Sequence, residues 1–209
     1  MCTVDAHDEI VNTHNEFRRN VRPPAQDMLQ MSWSDDIAET VQSWVDGCVL
    51  RHAEPLERTL DGYELGENLF YSNNQADWAS VVSAWHDEVH NFRYPDKSKN
   101  GKPIGHYTQV IWNTSYKVGC AMTLCPKFYY YGCRYSRGGN VISLPPYKAG
   151  KSCGMCPDHC VDKLCTNPCP YLNTYPHCYH LTVADCNRRI TKLCPALCKC
   201  HNKIIAMVK

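Results

Sequence analysis

The sequence predicts an α+β protein that ends in a small cysteine-rich module, and three observations predict it. Helical apolar stripes come early in the 209-residue chain and strand-forming runs come late, which argues for layered helices and an antiparallel sheet rather than repeated βαβ units. Ten of the fifteen cysteines fall between Cys153 and Cys200, in a tail of roughly 59 residues that is too short to rely on an apolar core alone. A turn-rich stretch from Gly138 to Gly150 separates that tail from the body.

Ile10, His14 and Phe17 recur at helical spacing and mark the first helix. Ile37, Ala38, Val41, Val45 and Cys48 form the stripe of the second. Ser34 stands as its N-cap, with Asp35 and Asp36 in the first turn, where negative charge favours the helix. Trp78, Val81, Val82, Trp85 and Val89 give a third, which Glu88 is expected to end. After Gly105 the composition turns to β-formers, so strands are expected at Tyr107–Trp112, Val118–Leu124 and Phe128–Tyr135. Tyr129, Tyr130 and Tyr131 fit sheet packing, and Trp33, Trp44, Trp78, Trp85 and Trp112 fit the core.

Composition narrows the function. No run approaches the ~18 apolar residues of a membrane span. Lys+Arg 22 against Asp+Glu 21 leaves a net charge of +1, which excludes a global field for nucleic acid. That balance hides a division. Residues 151–209 carry eight Lys/Arg against three Asp, a net +5, while residues 1–150 carry fourteen against eighteen acids, a net −4. Fifteen cysteines fit an oxidising, extracellular compartment. Met1 and Cys2 lead into Asp5, His7 and Asp8 without an apolar leader, so a mature, secreted form is expected.

Four ionisable residues stand beside strong local patterns: His52, Glu67 in Gly66-Glu67-Asn68, Glu88 in Trp85-His86-Asp87-Glu88, and His106 in Gly105-His106-Tyr107-Thr108-Gln109-Val110-Ile111-Trp112. With Asn15-Glu16-Phe17-Arg18, these motifs resemble the signature of the CAP superfamily, over about residues 5–147. The tail, from Cys153-Gly154-Met155-Cys156-Pro157 through Cys194-Pro195-Ala196-Leu197-Cys198-Lys199-Cys200, resembles the hinge and ion-channel-regulator module of the cysteine-rich secretory proteins, including venom and oral-gland members.

The resemblance implies a CAP α-β-α sandwich over 1–147, a disulfide-bridged hinge over 148–168 and a cysteine-rich regulator module of ShK-like type over 169–209. It implies the bridges Cys48–Cys125, Cys120–Cys133, Cys153–Cys160, Cys156–Cys165, Cys169–Cys200, Cys178–Cys194 and Cys186–Cys198. One family bridge is missing, its positions being Leu65 and Ser136, and Cys2 is left over. The resemblance also implies a cleft formed by His52, Glu67, Glu88 and His106, with His52 and His106 holding Zn²⁺ weakly. Neutral imidazole is a good zinc ligand, and neighbouring carboxylates can orient the rings. The competing readings are a hydrogen-bonded tetrad that only holds loops, and a zinc hydrolase with Glu67 or Glu88 as base. No serine or cysteine pairs with either histidine as a nucleophile, so no enzyme is expected.

Three functions follow: a toxin-like blocker of voltage-gated calcium, potassium or cyclic-nucleotide-gated channels acting from their extracellular face, a sterol or lipid carrier, and a metal hydrolase. The basic tail favours the first. Arg188, Arg189 and Lys192, on a segment expected to be a short helix, would steer it. Tyr171, Leu172, Tyr175 and Tyr179 would anchor it, because aromatic and Arg residues dominate binding hot spots. A reproductive or immune role through the body, a monomeric state, a structural rather than redox Cys153-x-x-Cys156, and an N-glycosylation sequon at Asn113-Thr114-Ser115 complete the expectations.

Overall fold

The computed structural model describes residues 4–206. Cys2, expected to be unpaired, lies outside the described residues. In chain order the elements are α1 (Val4–Arg19), β1 (Ser32–Trp33), α2 (Asp35–Val45), β2 (Thr59–Leu60), β3 (Tyr63–Glu64), β4 (Gly66–Ser72), α3 (Trp78–His86), β5 (Phe92–Arg93), β6 (Lys97–Ser98), α4 (Gly105–Val110), β7 (Lys117–Leu124), β8 (Tyr129–Ser136), β9 (Cys160–Val161), β10 (Leu164–Cys165), α5 (Arg188–Leu193) and α6 (Pro195–Lys199).

The main sheet has strand order β1-β7-β8-β4. β1 runs parallel to β7, while β7 and β8, and β8 and β4, pair antiparallel. Period-two alternation on β7 and β8 divides the residues between two faces. Val118, Cys120, Tyr131, Cys133 and Tyr135 pack with Ile10, Trp78, Val81, Trp85 and Tyr107 of α1, α3 and α4. Ala121 and Tyr130 pack with Val41 and Val45 of α2 on the other face. Gly119 sits where the start of α2 crosses β7: a Cβ there would lie 2.2 Å from the Ala38 nitrogen, so only glycine permits the approach. Ser34 caps α2 as expected, its hydroxyl accepting from the Ile37 N–H.

The run from Tyr107 corrects the strand expectation, since Gly105–Val110 is a helix. Its β-forming side chains are overridden by a tertiary contact: Glu88 Oε2 accepts the N–H groups of His106 and Tyr107, satisfying two orphan donors of the first turn. The third helix ends at His86, and Glu88 lies in the 3₁₀ turn Asp87–Asn91 that continues it.

Buried polar side chains tie α1 to the sheet. Arg18 is fully buried, and its guanidinium donates to the carbonyls of Leu29, Val110, Trp112, Asn113 and Ser115. Burial lowers its pKa to about 9. His14 Nδ1 donates to the Ile10 carbonyl, and Nε2 accepts from the Tyr135 hydroxyl. Burial lowers the His14 pKa to about 4, so the ring is neutral at physiological pH.

Among the described residues seven disulfides are present, in the pairing that the resemblance implies: Cys48–Cys125, Cys120–Cys133, Cys153–Cys160, Cys156–Cys165, Cys169–Cys200, Cys178–Cys194 and Cys186–Cys198. Leu65, at a position of the missing bridge, is 2% exposed. Beside it, Arg58 binds the carbonyls of Ala53 and Leu65 and pairs with Glu64 at 2.7 Å, so packing and a guanidinium clasp stand where the resemblance would put a bridge.

The segment read as a hinge is docked on the body. Backbone hydrogen bonds join Gln26 to Lys148, Met155 to Gln26, Cys165 to Met28 and Gln30 to Cys165. Leu164 is fully buried in the body's own core. The sequon is also closed. Asn113 Nδ2, the atom a glycan would occupy, donates to Asp27 at 2.7 Å, and Thr114 and Ser115 are buried.

Candidate functional site

β4 carries Glu67, with its side chain on the α2 face opposite Arg134 of β8. The Glu67 side chain is 2% exposed. Its Oε1 accepts from His52 Nδ1 at 2.8 Å and from the Ala53 N–H at 3.1 Å, and its Oε2 accepts from Arg134 Nε at 2.9 Å. Burial pushes this carboxyl upward, but the hydrogen bonds from His52, Arg134 and Ala53 and the charge of Arg134 outweigh it and hold it below the usual carboxylate range. Glu88 repeats the arrangement at the start of α4, where its Oε1 accepts from His106 Nδ1 at 2.8 Å.

The four residues therefore form two carboxylate–imidazole pairs. No hydrogen bond joins one pair to the other among the described residues. Their link is Asn68, next to Glu67 on β4, which donates to the His106 carbonyl at 3.1 Å. A carboxylate only accepts, so each Nδ1 carries the proton and each Nε2 is left with a lone pair. The side chains of His52 and His106 are 59% and 38% exposed, so both rings reach solvent. This is the outer-shell arrangement that fixes imidazole tautomers for metal binding, and each ring offers one Nε2 of the kind that a divalent ion takes. Among the described residues, the one cluster of three or more candidate ligand atoms within 4.8 Å of one another is Cys153, Cys156 and Cys165, whose sulfurs are held in disulfides.

Arg134 holds Glu67 and Asn68 holds the His106 carbonyl; Asn68 stood in a family motif without a role, and Arg134 was not singled out. Arg134 falls among Tyr130, Tyr131, Cys133 and Tyr135, and a charged residue inside such an apolar run is the signal that could have found it. A separate open cavity of about 560 Å³ lies between α1, β1, α2 and β7, lined by His7, Trp33, Asp35, Ala38, Gln42 and Ala121 among others. It is away from the histidine pairs, and its lining mixes apolar and acidic groups.

In the tail, Asn187 caps α5 by accepting from the Arg189 and Ile190 N–H groups. Arg188, Arg189 and Lys192 are exposed on it, and none forms an ion pair with the described residues. The 171–180 loop meets the end of this helix through the Thr174 N–H to Leu193 carbonyl bond and the Cys178–Cys194 bridge. Tyr171, Tyr175 and Tyr179 are exposed, while Leu172 is half-buried. Their rings are engaged locally: Lys199 Nζ lies 4.6 Å from the Tyr171 ring centroid, Tyr175 meets His177, and Tyr179 meets His180.

The profile described as the cysteine-rich secretory protein family (CAP) matches residues 11–135, and that described as Crisp matches residues 153–205. Among solved structures, the chain is similar to NaASP2 with Zn²⁺, at 26% identity and a TM-score of 0.67, covering 78% of this chain and 96% of that one. Na-ASP-1 matches at 28% identity and TM-score 0.67, over 79% of this chain and 48% of its own length. Venom allergen-like protein 4 of Schistosoma mansoni matches in fold, at 21% identity and TM-score 0.60, over 71% and 97% of the two chains.

Proposed function

The chain belongs to the cysteine-rich secretory protein (CAP) family, and from that premise we propose that it is a secreted ligand which blocks an ion channel through its C-terminal module. Family membership and the seven disulfides among the described residues support an extracellular location. The observation that carries the channel reading is the unpaired basic set Arg188, Arg189 and Lys192 beside the exposed tyrosines, on a module held by three bridges. A bridged surface loses little ordering entropy on docking. A cationic one is drawn to an acidic channel vestibule. It acts by capping the pore, not by chemistry. Whole-cell recording with the intact protein on voltage-gated calcium, potassium and cyclic-nucleotide-gated channels tests this. Reversible block of at least one is expected, and absence of block across the panel contradicts it.

The body contributes a weak Zn²⁺ site at His52 and His106, oriented by Glu67 and Glu88. Support comes from the two free Nε2 atoms and from a relative solved with Zn²⁺. Two imidazoles leave ligand positions to water, so affinity is modest, and it is lost in acid because the ligands must be neutral. Calorimetric titration should show zinc uptake by the wild type that is lost in His106→Ala. Equal uptake by both sinks the assignment. The same cleft is expected to give no protease or lipase turnover. Activity that vanishes in Glu67→Gln would replace the binding reading. The open cavity beside Trp33 keeps a second reading alive, carriage of a sterol or other amphiphile by the body. Saturable sterol uptake would support it.

A further inference from the structure

Two disulfides of the docked hinge are packed against each other. The sulfurs of Cys153, Cys156 and Cys165 all lie within 4.8 Å of one another, while the bonds run Cys153–Cys160 and Cys156–Cys165. Cys153-x-x-Cys156 is thus a pair of near neighbours bonded to different partners. Three of these four cysteines are buried, and Cys160 is exposed. Among the fourteen bridged cysteines of the described chain, it is the one that is exposed. An exposed cysteine, with a second bridge within reach of its partner, is the arrangement that suits relay exchange.

We propose that the hinge is a thiol–disulfide exchange site, entered at Cys160 by a dithiol reductant from the extracellular medium. A thiolate of the dithiol attacks Cys160 Sγ. The Cys153–Cys160 bond breaks, a mixed disulfide forms at Cys160, and the electron pair leaves on Cys153 Sγ. The second thiol of the reductant then resolves the mixed disulfide, releasing Cys160 as a thiolate and leaving the reductant oxidised. The Cys153 thiolate, already beside the second bridge, attacks Cys156 or Cys165. A new bond to the attacked sulfur forms, Cys156–Cys165 breaks, and the electron pair leaves on the sulfur not attacked, which takes a proton from water. The net change is one disulfide reduced to two thiols, with one of the thiols moved inward.

The move has a structural consequence. Cys165 lies on the strand that pairs with Met28 and Gln30 of the body, and Cys156 closes the loop that carries the Met155 N–H to the Gln26 carbonyl. Exchange therefore transfers a reducing event at the exposed edge to the seam between body and tail.

The Cys160→Ser variant isolates the second step, because it leaves Cys153 as a thiol without any added reductant. Alkylation of the native protein with iodoacetamide, followed by peptide mass spectrometry without reduction, locates the free sulfur. The expected result is label on Cys156 or Cys165 as well as Cys153, with matching loss of the Cys156–Cys165 peptide pair. Label confined to Cys153 with that pair intact overturns the proposal. Should the variant fail to fold, wild-type protein with substoichiometric dithiothreitol serves instead. Label on Cys160 together with Cys156 or Cys165 is expected there, and first opening of any other bridge contradicts entry at Cys160.

Discussion

The body is locked by a guanidinium and the tail by sulfur. Arg18 spends its donors on five carbonyls drawn from two chain segments, inside a core that includes Ile10, Trp85, Val110 and Tyr135. The module after Cys169 has a buried cluster of only Cys169, Ala196 and Cys200, and three disulfides hold it. The difference teaches which forces scale with chain length. A body of this size buries enough apolar surface to carry a desolvated cation, provided every donor finds a carbonyl. A module of about 40 residues cannot, and cross-links do the work of burial. The polar side chains divide the same way: the body's carboxylates hold two imidazoles, whereas Arg188, Arg189 and Lys192 of the cross-linked tail form no ion pair with the described residues.

Removing the clamp should break the body and spare the tail. Arg18→Met leaves several buried carbonyls unpaired and is expected to destabilise the fold by roughly 4–5 kcal/mol, read from urea unfolding. Opening Cys178–Cys194 with paired alanines should cost about 3 kcal/mol, most of it in the tail, with the near-ultraviolet signal of the body retained. Leu65→Ala tests whether packing stands in for the absent bridge. About 3 kcal/mol is expected from burial lost and a cavity left, and a loss under ~1 kcal/mol would mean that Leu65 is a bystander.

A smaller effect appears in acid. The His14 pKa is about 4 in the folded chain against 6.5 when unfolded, so the folded state binds the proton less readily. Stability from this group is complete above about pH 6.5 and is lost as pH falls toward 4, by up to about 3 kcal/mol at the low end and less between. His14→Gln should flatten that part of the stability curve relative to wild type in thermal denaturation.

Much of this could be read beforehand because apolar periodicity survives in the sequence. Ile37, Val41 and Val45 form the buried stripe of α2, and Val118 to Tyr135 form the central hairpin. The helix at Gly105–Val110 was hidden because the carboxylate that caps it, on Glu88, lies 18 residues from the His106 N–H that it accepts. Arg18 and Asn68 stood in the family motifs without a role, and Arg134 was hidden, because polar residues are read as surface until the structure supplies their partners. The two histidine–carboxylate pairs were legible only through family motifs, since spacing alone does not pair residue 52 with 67 or residue 88 with 106. The closed sequon had a different cause: the triplet encodes a modification, and only the contact between Asn113 and Asp27 reveals that its nitrogen is already engaged.

The central claim is that the tail's free charges, and not the body, deliver the protein to its channel. Association kinetics of block by the Arg188→Ala, Arg189→Ala, Lys192→Ala triple variant, recorded at two salt concentrations, test it most directly. Exposed charges are screened over a Debye length of about 8 Å at physiological ionic strength. The account predicts slower association than wild type, weaker salt dependence and a nearly unchanged off-rate. A triple variant that blocks with the wild-type on-rate and the wild-type salt dependence contradicts it.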